Sequence, residues 1–231
     1  MNFKVDFCSY EAAKYSVINW HYSQTMPVGK LFKIGVWEND KFIGVVLFGR
    51  GANNNMLKPY KLEQIEGCEL VRVALKSHKT PVTKIVSIAI KLLKKTNPKL
   101  KLIVSYADTG QNHLGVIYQA GNWIYTGINN KITEMKINGK REHSRSISAK
   151  YGTCDVMQLR EKGLDAERVE STSKHRYLMP LTKEMRKQIE LLKKPYPKKE
   201  NICVSGVKSS TSGDQLEGGG AVPTDTLHIK S

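Results

Sequence analysis

The chain is predicted to be a mixed α/β protein, and three features of the sequence say so. Strand-like and helix-like patterns alternate from Phe3 to Gly127. Two apolar runs in "LFKIGVWENDKFIGVVLFG" are joined by Glu38-Asn39-Asp40, the chemistry of a tight hairpin. Later, a helical pattern separates two buried-strand patterns, which calls for a crossover and a parallel pair.

In order, "FKVDF" alternates as a first strand should. Ser9 is an N-cap for a helix running through Ala12, Ala13 and Val17 to about Trp20, and that helix ends in "WHYSQTMP". The hairpin follows, then a Gly- and Asn-bearing loop, "GRGANNNM", and the strand "ELVRVAL". Thr80 can cap a helix whose first position is Pro81, in which Val82, Ile85, Val86, Ala89, Ile90 and Leu93 recur at helical spacing until Asn97-Pro98 stops it. "LKLIVSYAD" is a buried strand, "QNHLGVIYQA" a helix and "NWIYTG" a strand. A basic segment, "KINGKREHSRSISAKYG", leads to a short helix around Val156 to Glu161, and "KHRYLMPL" has strand composition and ends at a helix start. Domain bounds follow: a mixed α/β core over 1–137, a basic extension over 138–200 that completes the sheet, and a disordered tail over 201–231. The tail is polar and Gly-rich and lacks an apolar face.

At 231 residues and 40% hydrophobic content the chain suffices for one substantial core. Its formal charge of +16, from 37 Lys and Arg against 21 Asp and Glu, with a pI near 9.6, favours a polyanion partner, nucleic acid foremost. Arg141, Arg145, Lys150, Lys174, His175 and Arg176 gather around short polar residues, as phosphate contacts require; a merely solvated basic face is the alternative. No run approaches the ~18 apolar residues of a membrane span and no leader pattern opens the chain, so a cytoplasmic protein without membrane contact is expected. Cys8, Cys68, Cys154 and Cys203 lie far apart with no CxxC pair, consistent with reduced thiols. Oligomeric state leaves no mark in the sequence.

Several side chains carry two readings each. Asp108 ends a strand, where a catalytic carboxylate works in α/β proteins, or else it caps the next turn. Tyr118 is either a core aromatic or an acid. His21 and Tyr22 close the first helix, where a His is a dipole-favoured cap; with Asp108 they would also make an N/O metal site of the kind that suits iron. Trp20, Tyr106, Trp123 and Tyr125 could stack on an extruded base or belong to the core.

The element order, with Asn112, Tyr118 and Gly121-Asn122-Trp123 in the helix after the fifth strand pattern, resembles the GNAT acyltransferase fold. That resemblance implies a strand that diverges from its neighbour and a Tyr that protonates the leaving group. Taken together, "WHYSQTMP", "GVVLFGRGANNN", "ELVRVAL", "SYADTGQNHLGVIYQAGNWIYTG" and "KHRYLMPL" resemble the phage Mom family of DNA-modification proteins over roughly residues 1 to 180.

The family resemblance implies a GNAT-like transferase that converts adenine in double-stranded DNA to an N6-carbamoylmethyl form and protects the DNA from restriction, in the host cytoplasm if phage-encoded. It implies Asp108, Tyr118, His21 and Tyr22 as catalytic residues, and iron on His21, Tyr22 and Asp108. The donor would be an acyl or glycine-derived molecule, with acetyl-CoA and an aminoacylated RNA both candidates. One departure stands out: the stretch that should cradle a donor pyrophosphate, "KSHKTPVTK", contains no glycine. His78, Lys79 and Thr80 at a helix start would have to serve instead. A GNAT N-acyltransferase for a protein or small amine and a catalytically idle DNA-binding protein are the rival readings.

Overall fold

The computed structural model describes residues 2–51, 55–129, 133–142, 144–170 and 172–198, with only the backbone of Thr133 and Arg145 described. The expected tail over 201–231 lies outside the described residues, as does part of the "GRGANNNM" loop. Asn39 and Asp40 take positive φ (48° and 62°), the two-residue turn their chemistry predicts, and join strands β2 (Leu31–Glu38) and β3 (Lys41–Gly49). Strand β1 (Phe3–Phe7) pairs with β2, and helix α1 (Tyr10–Trp20) follows β1, its Ser9 side chain accepting from Ala12 N–H as the cap reading requires.

Strands β4 (Gly67–Leu75), β5 (Leu102–Asp108), β6 (Ile124–Ile128) and β10 (Lys174–Pro180) extend the sheet in the order β1-β2-β3-β4-β5-β10-β6. Every adjacent pair is antiparallel except β4 with β5, which the connecting helix α2 (Val82–Thr96) makes parallel. Strict alternation on β3 places both helix layers. Val46 and Phe48 face Ile85, Ala89 and Leu93 of α2, whereas Val45 and Leu47 face Ala13 and Val17 of α1. Helix α6 (Lys183–Glu190), capped by Thr182, packs Met185 and Ile189 against Leu102, Val104 and Leu178.

Two expectations are corrected. Helix α2 begins at Val82, with Pro81 in the cap position in an extended conformation and no side-chain cap from Thr80. The helix over "QNHLGVIYQA" is only α3 (Val116–Ala120), because Thr109–Gln111 form a 3-10 turn and Gly115 takes φ 69°. At Gly115 a Cβ would stand 2.4 Å from the Tyr177 ring, so the glycine is required for close approach as well as for its backbone.

Residues 133–142 and 144–170 carry a second, smaller sheet. Strands β7 (Thr133–Ile137), β8 (Lys140–Glu142) and β9 (Ala166–Glu170) make this sheet, ordered β8-β7-β9. With helices α4 (Ser144–Tyr151) and α5 (Val156–Glu161) it encloses a core of its own around Met135, Ile137, Ile147, Leu159 and Ala166. This module is inserted between β6 and β10, and β10 then returns between β5 and β6. Its composition is close to neutral, with eight Lys and Arg against seven Asp and Glu over 133–170.

Candidate active site

The parallel pair defines the site. Hydrogen-bonded register holds Gly67–Leu70 against Leu102–Ser105 and stops there. Beyond it β4 follows β3 to Leu75, while β5 follows β10 to the Lys174–Asp108 pair. A cleft therefore opens after Leu70 and Ser105, as the divergence implied by the GNAT resemblance requires.

Ser105 and Tyr118 stand at its apex. The Ser105 hydroxyl is 2.8 Å from both Leu70 carbonyl oxygen and Tyr118 Oη. Ser105 Oγ is the donor to Tyr118 Oη, so the phenol oxygen is held while its own proton is left free of this bond. Burial pushes the Tyr118 phenol up to about 12, more than the Ser105 bond offsets. The phenol is thus protonated at neutral pH, the state an acid needs.

Asp108 combines both of its readings. Its Oδ1 accepts from Gly110 N–H at 2.9 Å and from Thr172 Oγ1 at 2.6 Å, so it caps the 3-10 turn and is tied to the strap that returns from the inserted module. On the next residue Thr109 Oγ1 donates to Ser173 carbonyl at 2.6 Å. Asp108 also acts electrostatically on the Tyr22 phenol, raising it together with the larger effect of burial.

His21 closes α1, and its Nδ1 accepts from Ser23 N–H at 3.1 Å, which leaves Nε2 as the protonated nitrogen of the neutral ring. Burial first, then Arg72 and His113, holds its pKa down to about 4. The His21 and Tyr22 rings lie 4.3 Å apart, and His113 meets Tyr22 edge-on at 5.0 Å.

Arg72 and His113 are members of this group that the sequence reading missed. A lone Arg inside the apolar run "ELVRVAL" was the available signal. Arg72 lies on β4 just past the split; its Nη1 donates to Val71 carbonyl at 2.7 Å, while its buried Nε has no hydrogen-bond partner among the described residues. A buried guanidinium donor left open in a cleft is suited to an oxygen of a bound molecule.

The donor set does not fit a preformed iron centre. Among the described residues no group of three or more His, Cys, Asp and Glu comes together. Burial raises the Tyr22 phenol, which works against the phenolate a ligand must become.

At the expected donor-phosphate site the backbone amides are already engaged. Lys79 and Thr80 N–H, the amides a phosphate would use, donate to the buried Glu38 carboxylate at 3.0 and 2.6 Å. His78 Nδ1 donates to Thr80 carbonyl at 2.8 Å. The first of these amide bonds contributes most to holding the Glu38 carboxyl below its ordinary value. The chain has filled this anion position with a carboxylate of its own.

The remaining candidates divide. Trp123 and Tyr125 are core residues, 2% and 6% exposed, so neither offers a free ring face to a base. Trp123 stacks on Tyr118, and Tyr125 stacks on Tyr177 and bonds His175 Nδ1 at 2.8 Å. His175 is buried and its pKa is lowered by that burial, which removes it from the expected phosphate contacts. Tyr106 is half-buried against the α6 side of the sheet, and Trp20 is half-buried at the end of α1 against Tyr15 and Phe42. Tyr22, by contrast, is 53% exposed.

Of the expected phosphate cations, Arg176 Nε donates to Thr126 Oγ1 at 2.8 Å and Arg141 Nη1 to Glu170 carbonyl at 2.9 Å. Lys150 lies 3.7 Å from Glu142 and over the Tyr151 ring. Lys174 pairs across from Asp108 at the cleft rim, and the Arg145 side chain lies outside the described residues. Among the described residues no helix is long and apolar enough to cross a membrane.

Known proteins resemble this chain at two levels. The methylcarbamoylase mom of Escherichia phage Mu is 28% identical over 186 residues, covering 77% of this chain and 76% of the phage protein. Among solved structures, an N-acetyltransferase from Staphylococcus aureus Mu50 overlaps at a TM-score of 0.45 with 13% identity, covering 78% of this chain and 99% of that one. A Bacillus subtilis acetyltransferase in complex with CoA overlaps at 0.42, also with 13% identity, covering 78% and 100%. These structural overlaps are loose. The Mom protein family, however, matches residues 2–198, a span that takes in both sheets and every side chain of the cleft. The chain that builds this cleft belongs to the Mom protein family.

Proposed function

We propose that the protein is a DNA-modifying transferase that acts on the exocyclic N6 amine of adenine and leaves a carbamoylmethyl group there. The convergence of His21, Tyr22, Arg72, Asp108 and Tyr118 on the cleft between β4 and β5 carries this reading, together with membership of the Mom family and likeness to a phage methylcarbamoylase.

The chemistry divides among the side chains. The N6 lone pair is delocalised into the ring, so N6 attacks only if it is oriented and loses a proton as the bond to the donor carbon forms. Asp108, at the cleft rim with Oδ1 fixed by Gly110 and Thr172, takes that proton. The leaving group departs with the electron pair of the broken bond and receives the Tyr118 proton at the apex. Arg72 Nε, open and buried, holds an oxygen of the donor. Tyr22 and His113, edge to face at the exposed mouth, receive the extruded base.

The donor remains an acyl or glycine-derived molecule. Its phosphates, where it has any, do not use the Lys79 and Thr80 amides, which weakens the alternative of an acetyl-CoA-dependent N-acyltransferase. Modified DNA resistant to restriction in a host cytoplasm is the setting this reaction implies. Digestion of DNA from cells expressing the protein, followed by nucleoside mass spectrometry, tests the reading: a carbamoylmethyl deoxyadenosine is expected, and DNA with only ordinary nucleosides overturns it.

A further inference from the structure

Charge on this chain is not concentrated where the basic motifs suggest. Residues 76–101 hold eight lysines and no Asp or Glu. Helix α2 occupies the middle of that stretch and buries Ile85, Val86, Ala89, Ile90 and Leu93. Its opposite face carries Lys84, Lys91 and Lys95, seven and four residues apart and so in one stripe. All three are exposed, and none is in an ion pair among the described residues. Lys94 and Lys101 are committed elsewhere, Lys94 to the Pro98 and Leu100 carbonyls and Lys101 to Glu66.

A merely solvated helix face sets Glu against Lys at i,i+4. Here Lys91 and Lys95 place like charges at that spacing, which destabilises the helix, and no acid offsets it. The stripe spans roughly 16 Å at 1.5 Å per residue. One strand of a duplex presents about five phosphates over that length. Beside it lies a groove of about 480 Å³ floored by Ile90, Ile117 and Trp123, with Lys84, Lys91 and Asn122 among its lining. Toward the N-terminal end of α2, Lys76 Nζ lies 5.8 Å from the centroid of Trp20, the residue before His21 and Tyr22.

We propose that the lysine stripe of α2, from Lys95 through Lys91 and Lys84 toward Lys76, seats the phosphate backbone of duplex DNA. The choice of DNA among polyanions rests on the proposed reaction; the location of the surface rests on the charge pattern. It moves the DNA platform away from Arg141, Lys150 and Arg176, whose cations are engaged within the protein.

The test is the salt dependence of affinity for a duplex oligonucleotide, measured by fluorescence anisotropy on the full chain. Replacing Lys84, Lys91 and Lys95 together by Gln, a residue of similar helix propensity, should flatten the log–log slope by roughly 3 units while the thermal midpoint holds or rises slightly as the like charges go. An Arg141→Gln/Lys150→Gln variant should keep the wild-type slope. An unchanged slope in the lysine variant overturns the proposal, and so does a variant that keeps its DNA slope but loses binding to phosphatidylserine vesicles. Failure of the proposed reaction is separable: a flattened slope with no modified nucleoside leaves the DNA surface standing, and a modified nucleoside with an unchanged slope removes only the surface.

Discussion

Tyr118 Oη and Ser105 Oγ meet at 2.8 Å on the residue where β4 and β5 part, since Leu70–Ser105 is the last parallel pair and the Leu70 carbonyl lies 2.8 Å from the same hydroxyl. The buried phenol is therefore placed by the sheet itself, with its oxygen held by the Ser105 hydroxyl. Tyr118→Phe should cost only about 1 kcal/mol of stability, because Ser105 keeps its bond to Leu70. Modification should fall by roughly 10²-fold or more. Thermal melting and nucleoside analysis on the same preparation check both; full activity in the folded variant would remove Tyr118 from the reaction.

Thr172 is predicted to act through Asp108. Its hydroxyl donates to Asp108 Oδ1 at 2.6 Å, and Thr172→Val deletes that donor while preserving shape. The carboxylate then loses one of its two anchors, so kcat for modification should fall while KM for DNA holds. Thr172→Ser should restore kcat. A wild-type kcat with Val would make Thr172 structural only.

Glu38 should behave as a fold-internal anion. Its carboxyl is held below the ordinary value of 4.5 by the Lys79 amide, by Thr80 and by His78. A depressed carboxyl contributes stability that is present above pH 4.5 and lost as pH falls through its native value. Glu38→Gln should lower the thermal midpoint near neutrality, and the gap to wild type should narrow in acid. A gap independent of pH would contradict this.

His21 gives the same sign by a different route. Its pKa falls from 6.5 to about 4 on folding, so between those values the unfolded chain binds a proton that the native protein does not. Stability from His21 is full above 6.5 and declines toward 4. His21→Gln should therefore flatten the dependence of the melting midpoint on pH over that window, leaving the smaller contribution of His175, which has the same direction.

Much of the fold was legible because periodicity and caps report local structure. Ser9, Asn39-Asp40 and Thr182 do what their side chains predict. The inserted module was not legible: its three short strands alternate weakly, and its core of Met135, Ile137, Ile147, Leu159 and Ala166 exists only once distant segments meet. At the site, Asp108 and Tyr118 were visible as a strand end and a helix aromatic. Arg72 was hidden because a strand pattern does not show which of its residues lies past a split, and Glu38 because its partners are about forty residues away. The motif "KHRY" misled, since alternation on β10 sends His175 inward against Tyr125.

Asp108 is proposed to remove the N6 proton of adenine in the cleft between β4 and β5. Nucleoside mass spectrometry of DNA from cells expressing wild type and Asp108→Asn at matched soluble levels tests it most directly. A carbamoylmethyl deoxyadenosine with wild type and its absence with a folded Asp108→Asn protein is the expected result. The same nucleoside at similar abundance with Asp108→Asn, or none with wild type, would contradict it.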